Sequence, residues 1–207
     1  MLNCSMVITL GNIVFGGKGN GGGSSTASAY VVPDGMSFGY TSLTEFPFDD
    51  FDFSQKTNFR HCWYNCSGLT SFPMLDLSKG TDFYMTWYAC HSLTEFPQLD
   101  LSSGTNFGSA WGNCSALTSL PALNLSNGTN FGSAWTNCKK LVNLGGFGAI
   151  SANIDLHYCP LTVESIMNVI NQAATVTGKT MKFGSTNLNK LTDEQKAVAT
   201  SKGWTLA

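Results

Sequence analysis

The stretch "SGTNFGSAWGNC" at residues 103–114 returns almost unchanged as "NGTNFGSAWTNC" at residues 127–138. Gly, Ser and Asn dilute both copies, yet Phe, Trp and Cys keep their places. Extending the alignment outward gives four units: "LTEFPFDDFDFSQKTNFRHCWYNCSG" from Leu43, "LTSFPMLDLSKGTDFYMTWYACHS" from Leu69, "LTEFPQLDLSSGTNFGSAWGNCSA" from Leu93 and "LTSLPALNLSNGTNFGSAWTNCKK" from Leu117. The first has 26 residues and the other three have 24, a period typical of stacked-repeat architectures.

The invariant positions are Leu43, Leu69, Leu93 and Leu117; Pro47, Pro73, Pro97 and Pro121; Phe59, Phe83, Phe107 and Phe131; Trp63, Trp87, Trp111 and Trp135; and Cys66, Cys90, Cys114 and Cys138. One unit alone cannot bury that much apolar surface. Stacked units place each residue over its equivalent, about 4.8 Å away, and turn the set into ladders through a core. Burying one Trp stabilises by about 4–6 kcal/mol as an upper bound, so the Trp and Phe ladders are expected to be core.

Within a unit, "LTSLP" and "LNLS" alternate apolar and polar residues as short strands do, and the Pro between them cannot donate to a ladder. "SNGTN" is turn chemistry, and "NFGSAWTNC" is too Gly-rich for a stable helix, so it is expected to be a 3₁₀ or irregular return. The expected fold is mostly β: a leucine-rich-repeat solenoid with 24-residue coils and short parallel β ladders, ending in an α/β C-terminal cap.

Three regions follow. Residues 1–28 hold one or two strand-like runs and "GGKGNGGGSS", which is expected to be an attachment segment with a Gly-rich linker. Residues 29–161 are the repeat region, whose last coil is atypical because Cys159 falls only 21 residues after Cys138. Residues 162–207 form the cap. They include an amphipathic helix after Thr162 with Ile166, Val169, Ile170 and Ala173 on one face, a strand at "KTMKFG", and a second helix opened by a Thr192–Gln195 capping box.

The chain of 207 residues has a formal charge of -2 and only 12% charged residues, so it offers no field for nucleic acid, and no apolar run approaches a bilayer span. The N-terminus lacks a basic n-region, which argues against a cleaved signal peptide. The seven cysteines follow the repeat rather than CxxC spacing, so buried reduced thiols are expected over disulfides or zinc.

Catalysis is not expected, because His61, His91 and His157 fall at different registers and meet no Ser or Asp partner in the pattern. No cofactor or metal is expected: Asp49, Asp50 and Asp52 lack the spacing of a calcium loop and read as a solvated insertion. The informative positions are those that differ between copies. Where the last two units carry small residues, the first two carry Arg60, His61 and Tyr64, then Tyr84, Met85, Tyr88 and His91. Stacking sets Arg60 beside Tyr84 and Tyr64 beside Tyr88, an edge suited to sugar or protein recognition; the competing reading is that these residues only shield the first coils or pack against the N-terminal segment, in a purely structural component.

The aromatic segment ending in Cys, followed by "SxLTSLP" and an apolar–polar–apolar run, resembles the BspA-like class of leucine-rich repeats, as does the closing "STNLNKLTDEQKAVATSKGWTLA". The resemblance covers residues 43–207, with the departure that every unit here has Trp four residues after Phe. It implies a surface or fibre protein: a bacterial adhesin, a protist surface protein, or a bacteriophage tail or head fibre. The missing secretion signal, the free thiols and the short N-terminal segment favour the virion member, docked through residues 1–28 to virion structural proteins and contacting a host glycan or protein. A bacterial cell-surface location is the alternative, and homo-oligomerisation is compatible with either.

Overall fold

The computed structural model describes residues 29–39, 44 and 51–207, together with the backbone of Ile8–Leu10 and Ile13–Phe15. Cys4, Leu43, Pro47, Asp49, Asp50 and most of the expected attachment segment and linker lie outside the described residues.

Equivalent residues of successive units lie against one another in a 24-residue register. Parallel bridges join Asn58 to Asp82, Asp82 to Asn106 and Asn106 to Asn130. Thr81, Thr105 and Thr129 each donate both backbone N–H and side-chain hydroxyl to the carbonyl of the preceding Thr. Side chains with one donor and a short reach thus fix the register from outside while the rings fix it from inside.

The segment from Phe to Cys is neither helix nor strand. In the first unit the N–H groups of Phe59, His61, Trp63 and Asn65 donate to the next unit, at Asp82, Tyr84, Thr86 and Tyr88, while Cys62, Tyr64 and Cys66 donate three residues back within their own unit. Alternation of this kind requires a positive φ two and six residues after each Phe. It is found at His61 and Asn65, Met85 and Ala89, Ser109 and Asn113, and Ser133 and Asn137, at φ between 52° and 62°. Left-handed backbone costs a non-Gly residue about 1–2 kcal/mol, least for Asn, and the cross-unit bonds offset it.

The core is a set of columns. The Trp rings stack with centroids 5.9, 5.4 and 6.0 Å apart, and the Phe rings at 5.2, 5.3 and 5.6 Å. Phe72 and Phe96 insert edge-on between successive Trp rings, at 4.8–5.6 Å. Each lies just before a Pro, and the described prolines of the repeat are themselves only half-buried. The four indole Nε1 atoms are buried without a hydrogen-bond partner among the described residues, and the packing gives no physical reason for it.

The expectation of a mostly β leucine-rich-repeat solenoid is overturned. Among the described residues the strands are two to four residues long and fall into four small sheets: antiparallel β1 (Ile8–Leu10) with β2 (Ile13–Phe15), parallel β3 (Tyr30–Val31) with β4 (Phe51–Asp52), parallel β5 (Ser119–Leu120) with β6 (Asn143–Leu144), and parallel β7 (Ile154–Asp155), β8 (Lys179–Lys182) and β9 (Trp204–Leu206). With α1 (Val163–Gln172), α2 (Ser185–Leu188) and α3 (Asp193–Ser201), the chain is mixed α/β with low secondary-structure content. The physical reason lies in the turns: Pro interrupts one side of the second, third and fourth units, and the paired positive-φ residues interrupt the other, so pairing is confined to single bridges and short strands.

Both ends are closed by side chains. Residues 29–39 cover the first unit, where Asp34 accepts from the Thr57 and Asn58 N–H groups at 2.9 and 2.8 Å and Lys56 Nζ, on a buried residue, donates to the Pro33 carbonyl. At the other end Thr162 caps α1, whose Ile166, Val169 and Ile170 are buried. Lys202 Nζ donates to the carbonyls of Ile170, Asn171 and Ala173, where α1 leaves acceptors unsatisfied. A capping box at Thr192 and Gln195 opens α3, and β9 then pairs with β8.

Candidate functional site

Arg60, His61, Tyr64, Tyr84 and Tyr88 meet along one edge of the first two units. The Arg60 guanidinium lies over the Tyr84 ring, 4.5 Å from its centroid. The Tyr64 and Tyr88 rings stack at 5.3 Å with an interplanar angle of 12°. His61 stands edge-on between the two pairs, 5.5 Å from Tyr64 and 5.6 Å from Tyr84. His91 is engaged elsewhere: its Nδ1 meets the Asn113 carbonyl at 2.9 Å.

The small residues of the third unit hold the rings in place. A Cβ on Gly108 would come within 3.0 Å of the Tyr84 ring and one on Gly112 within 2.9 Å of the Tyr88 ring, so both tyrosines lie flat over glycine. Their rings are half-buried, leaving one face of the edge open, while Arg60 and His61 are exposed.

Asp82 completes the arrangement, and it went unremarked in the repeat pattern. Its Oδ2 pairs with Arg60 Nη1 at 3.2 Å, and its Oδ1 accepts from the Tyr84 N–H and from Asn106 Nδ2. The signal was present: Asn58, Asn106 and Asn130 occupy this register, and only the second unit places a carboxylate there, beside the only unit pair that supplies an arginine. A fixed guanidinium over a ring, next to a stacked ring pair, can grip a flat apolar face while its polar tips take hydroxyl or carbonyl groups.

The edge is not free on all sides. Ser37 Oγ donates to the His61 carbonyl at 2.6 Å, and the Phe38 N–H donates to the Cys62 carbonyl at 2.6 Å. Residues 36–39 therefore flank its N-terminal side through backbone contacts.

Other chemistry is sparse. Asp52 accepts from the Ser54 N–H at 2.9 Å, a bond that holds its carboxyl below the usual range. No group of three or more His, Cys, Asp or Glu residues that could hold a metal ion occurs among the described residues, and none of their helices is long and apolar enough to cross a membrane. Cys62, Cys66, Cys90, Cys114, Cys138 and Cys159 are free and buried, and burial pushes the Cys62 and Cys138 thiols up to about 12 and raises those of Cys90, Cys114 and Cys159 as well. They are structural thiols, not nucleophiles.

No protein-family model, no curated protein and no solved structure matches the chain.

Proposed function

We propose that the chain is a non-enzymatic binding module, borne on a virion fibre or another exposed surface, whose Arg60–Tyr88 edge contacts a host glycan or protein. The observation that carries this is the Tyr64–Tyr88 stack at 5.3 Å, half open to solvent and seated on Gly112. Two rings already ordered by the fold lose little entropy on meeting a ligand, which is what makes rigid aromatics effective anchors. The virion assignment rests on the repeat resemblance, with the free thiols and the Gly-rich N-terminal segment favouring that member of the class, and docking through residues 1–28 belongs to it.

Adsorption of the fluorescently labelled protein to a panel of bacterial cells tests the edge. Tyr88→Ala abolishes adsorption while leaving thermal unfolding cooperative; equal adsorption by wild type and variant would remove this function from the edge. A structural reading also has an observation in its favour, the packing of Ser37 on the His61 backbone. Under that reading Tyr88→Ala changes assembly with the particle and leaves adsorption unchanged.

A further inference from the structure

The stack opens between the fourth unit and the C-terminal sheet. In each earlier unit the N–H groups of the Phe, Trp and two positive-φ residues donate to the next unit, but those of Phe131, Ser133, Trp135 and Asn137 have no acceptor among the described residues. The cause is the shortened spacing to Cys159, 21 residues after Cys138. Phe147 stacks on Trp135 at 4.7 Å and fills the inner part of the gap, while the thiol-to-carbonyl distance widens from 3.0 Å, at Cys138 and Trp111, to 3.7 Å, at Cys159 and Trp135.

The outer part of the gap is a cleft of about 480 Å³, walled by Phe131 and Ser133 on one side and by β7 and β8 residues on the other. That volume suits a mono- or disaccharide-sized ligand. The Asp155 and Asn153 acceptors in its wall are already engaged: Asp155 Oδ2 takes Lys182 Nζ at 3.2 Å, its Oδ1 meets His157, and Asn153 Oδ1 takes the Thr180 N–H. Its donors are not. The Phe131 and Ser133 amides point across the gap by the geometry of the repeat, and Lys179, also lining it, has no ion-pair partner among the described residues. Ala152 and Ile154 add a short apolar wall.

We propose that this cleft binds a small carboxylate-bearing, hydroxyl-rich ligand of the acidic-monosaccharide class, its carboxylate taken by the Phe131 and Ser133 amides and Lys179. Two unpartnered amides and an unpaired ammonium favour an anionic ligand, and charge-assisted bonds from them supply the affinity. The site shares no residue with the Arg60–Tyr88 edge and stands or falls separately.

Titration of ¹⁵N-labelled full-length protein with sodium glucuronate, glucose and sodium acetate at matched ionic strength tests it. Glucuronate shifts the Phe131 and Ser133 amide signals saturably, glucose and acetate bind at least about tenfold more weakly, and Lys179→Gln raises the glucuronate Kd by about tenfold with thermal unfolding unchanged. The proposal is overturned by non-saturating shifts, by acetate matching glucuronate, by shifts confined to the Tyr64 and Tyr88 region, or by a Lys179→Gln variant that unfolds normally and binds as wild type.

Discussion

The Cys114 thiol donates to the Trp87 carbonyl of the preceding unit at 3.0 Å, and Cys138 does the same to Trp111. A residue at this place must be small enough for the column of rings and must still carry a donor. That combination explains why Cys recurs where Ala would leave the place underfilled and Ser would bury a more polar hydroxyl. Cys114→Ala leaves a cavity and removes the thiol donor from the Trp87 carbonyl, and is expected to destabilise by about 1–3 kcal/mol in urea unfolding. Wild-type stability in this variant would show that the thiol is incidental.

Ala89 is the odd residue in a column of asparagines. It holds φ at 62°, where Asn65, Asn113 and Asn137 hold the same turn, and Asn137 Nδ2 donates to Asn113 Oδ1 at 2.8 Å. Ala89→Asn supplies a residue that tolerates left-handed backbone and extends the amide ladder, so it raises stability by about 1 kcal/mol. A lower unfolding midpoint would contradict this.

Asp34 makes the covering of the first unit pH-sensitive. Burial raises its carboxyl, but the bonds from Asn58 and Thr57 outweigh that and hold it below its usual range. A carboxylate lowered by folding contributes stability that is full above the ordinary carboxylate range and lost as pH falls through the folded value. Asp34→Asn therefore lowers stability at neutral pH and flattens its decline in acid, read as the urea midpoint against pH. An unchanged acid slope would show that other carboxylates set it.

Asp82→Asn separates positioning from stability at the edge. Asn already occupies this register in the neighbouring units, and an exposed ion pair contributes only about 0–1 kcal/mol, so the unfolding midpoint barely moves. Arg60, released from its 3.2 Å partner, leaves the Tyr84 face more often, and ligand affinity falls by about three- to tenfold. Full affinity in Asp82→Asn would show that Arg60 is not part of the contact.

The register and the ladder residues could be read from the chain because Phe, Trp and Cys recur at fixed spacing, and spacing survives whatever backbone carries it. The backbone itself could not. A 24-residue period with Leu and Pro is compatible with a ladder, and nothing about Met85, Ala89 or Ser133 announces a left-handed residue. Phe72 and Phe96 were passed over because the fourth unit has Leu120 at that position, which masked the edge-on packing. At the edge, the tyrosines stood out against small residues in later copies, whereas Asp82 differed from Asn by one atom type, and the short spacing from Cys138 to Cys159 marked an atypical coil without showing that a cleft stays open beyond Ser133.

Glycan-array binding by the wild type and the Tyr64→Ala/Tyr88→Ala double variant, with thermal unfolding of both, tests the role of the stacked tyrosines most directly. The expected result is a defined set of bound glycans for the wild type and an affinity at least about thirtyfold lower for the double variant, with cooperative unfolding retained. Equal binding by two folded proteins would contradict it.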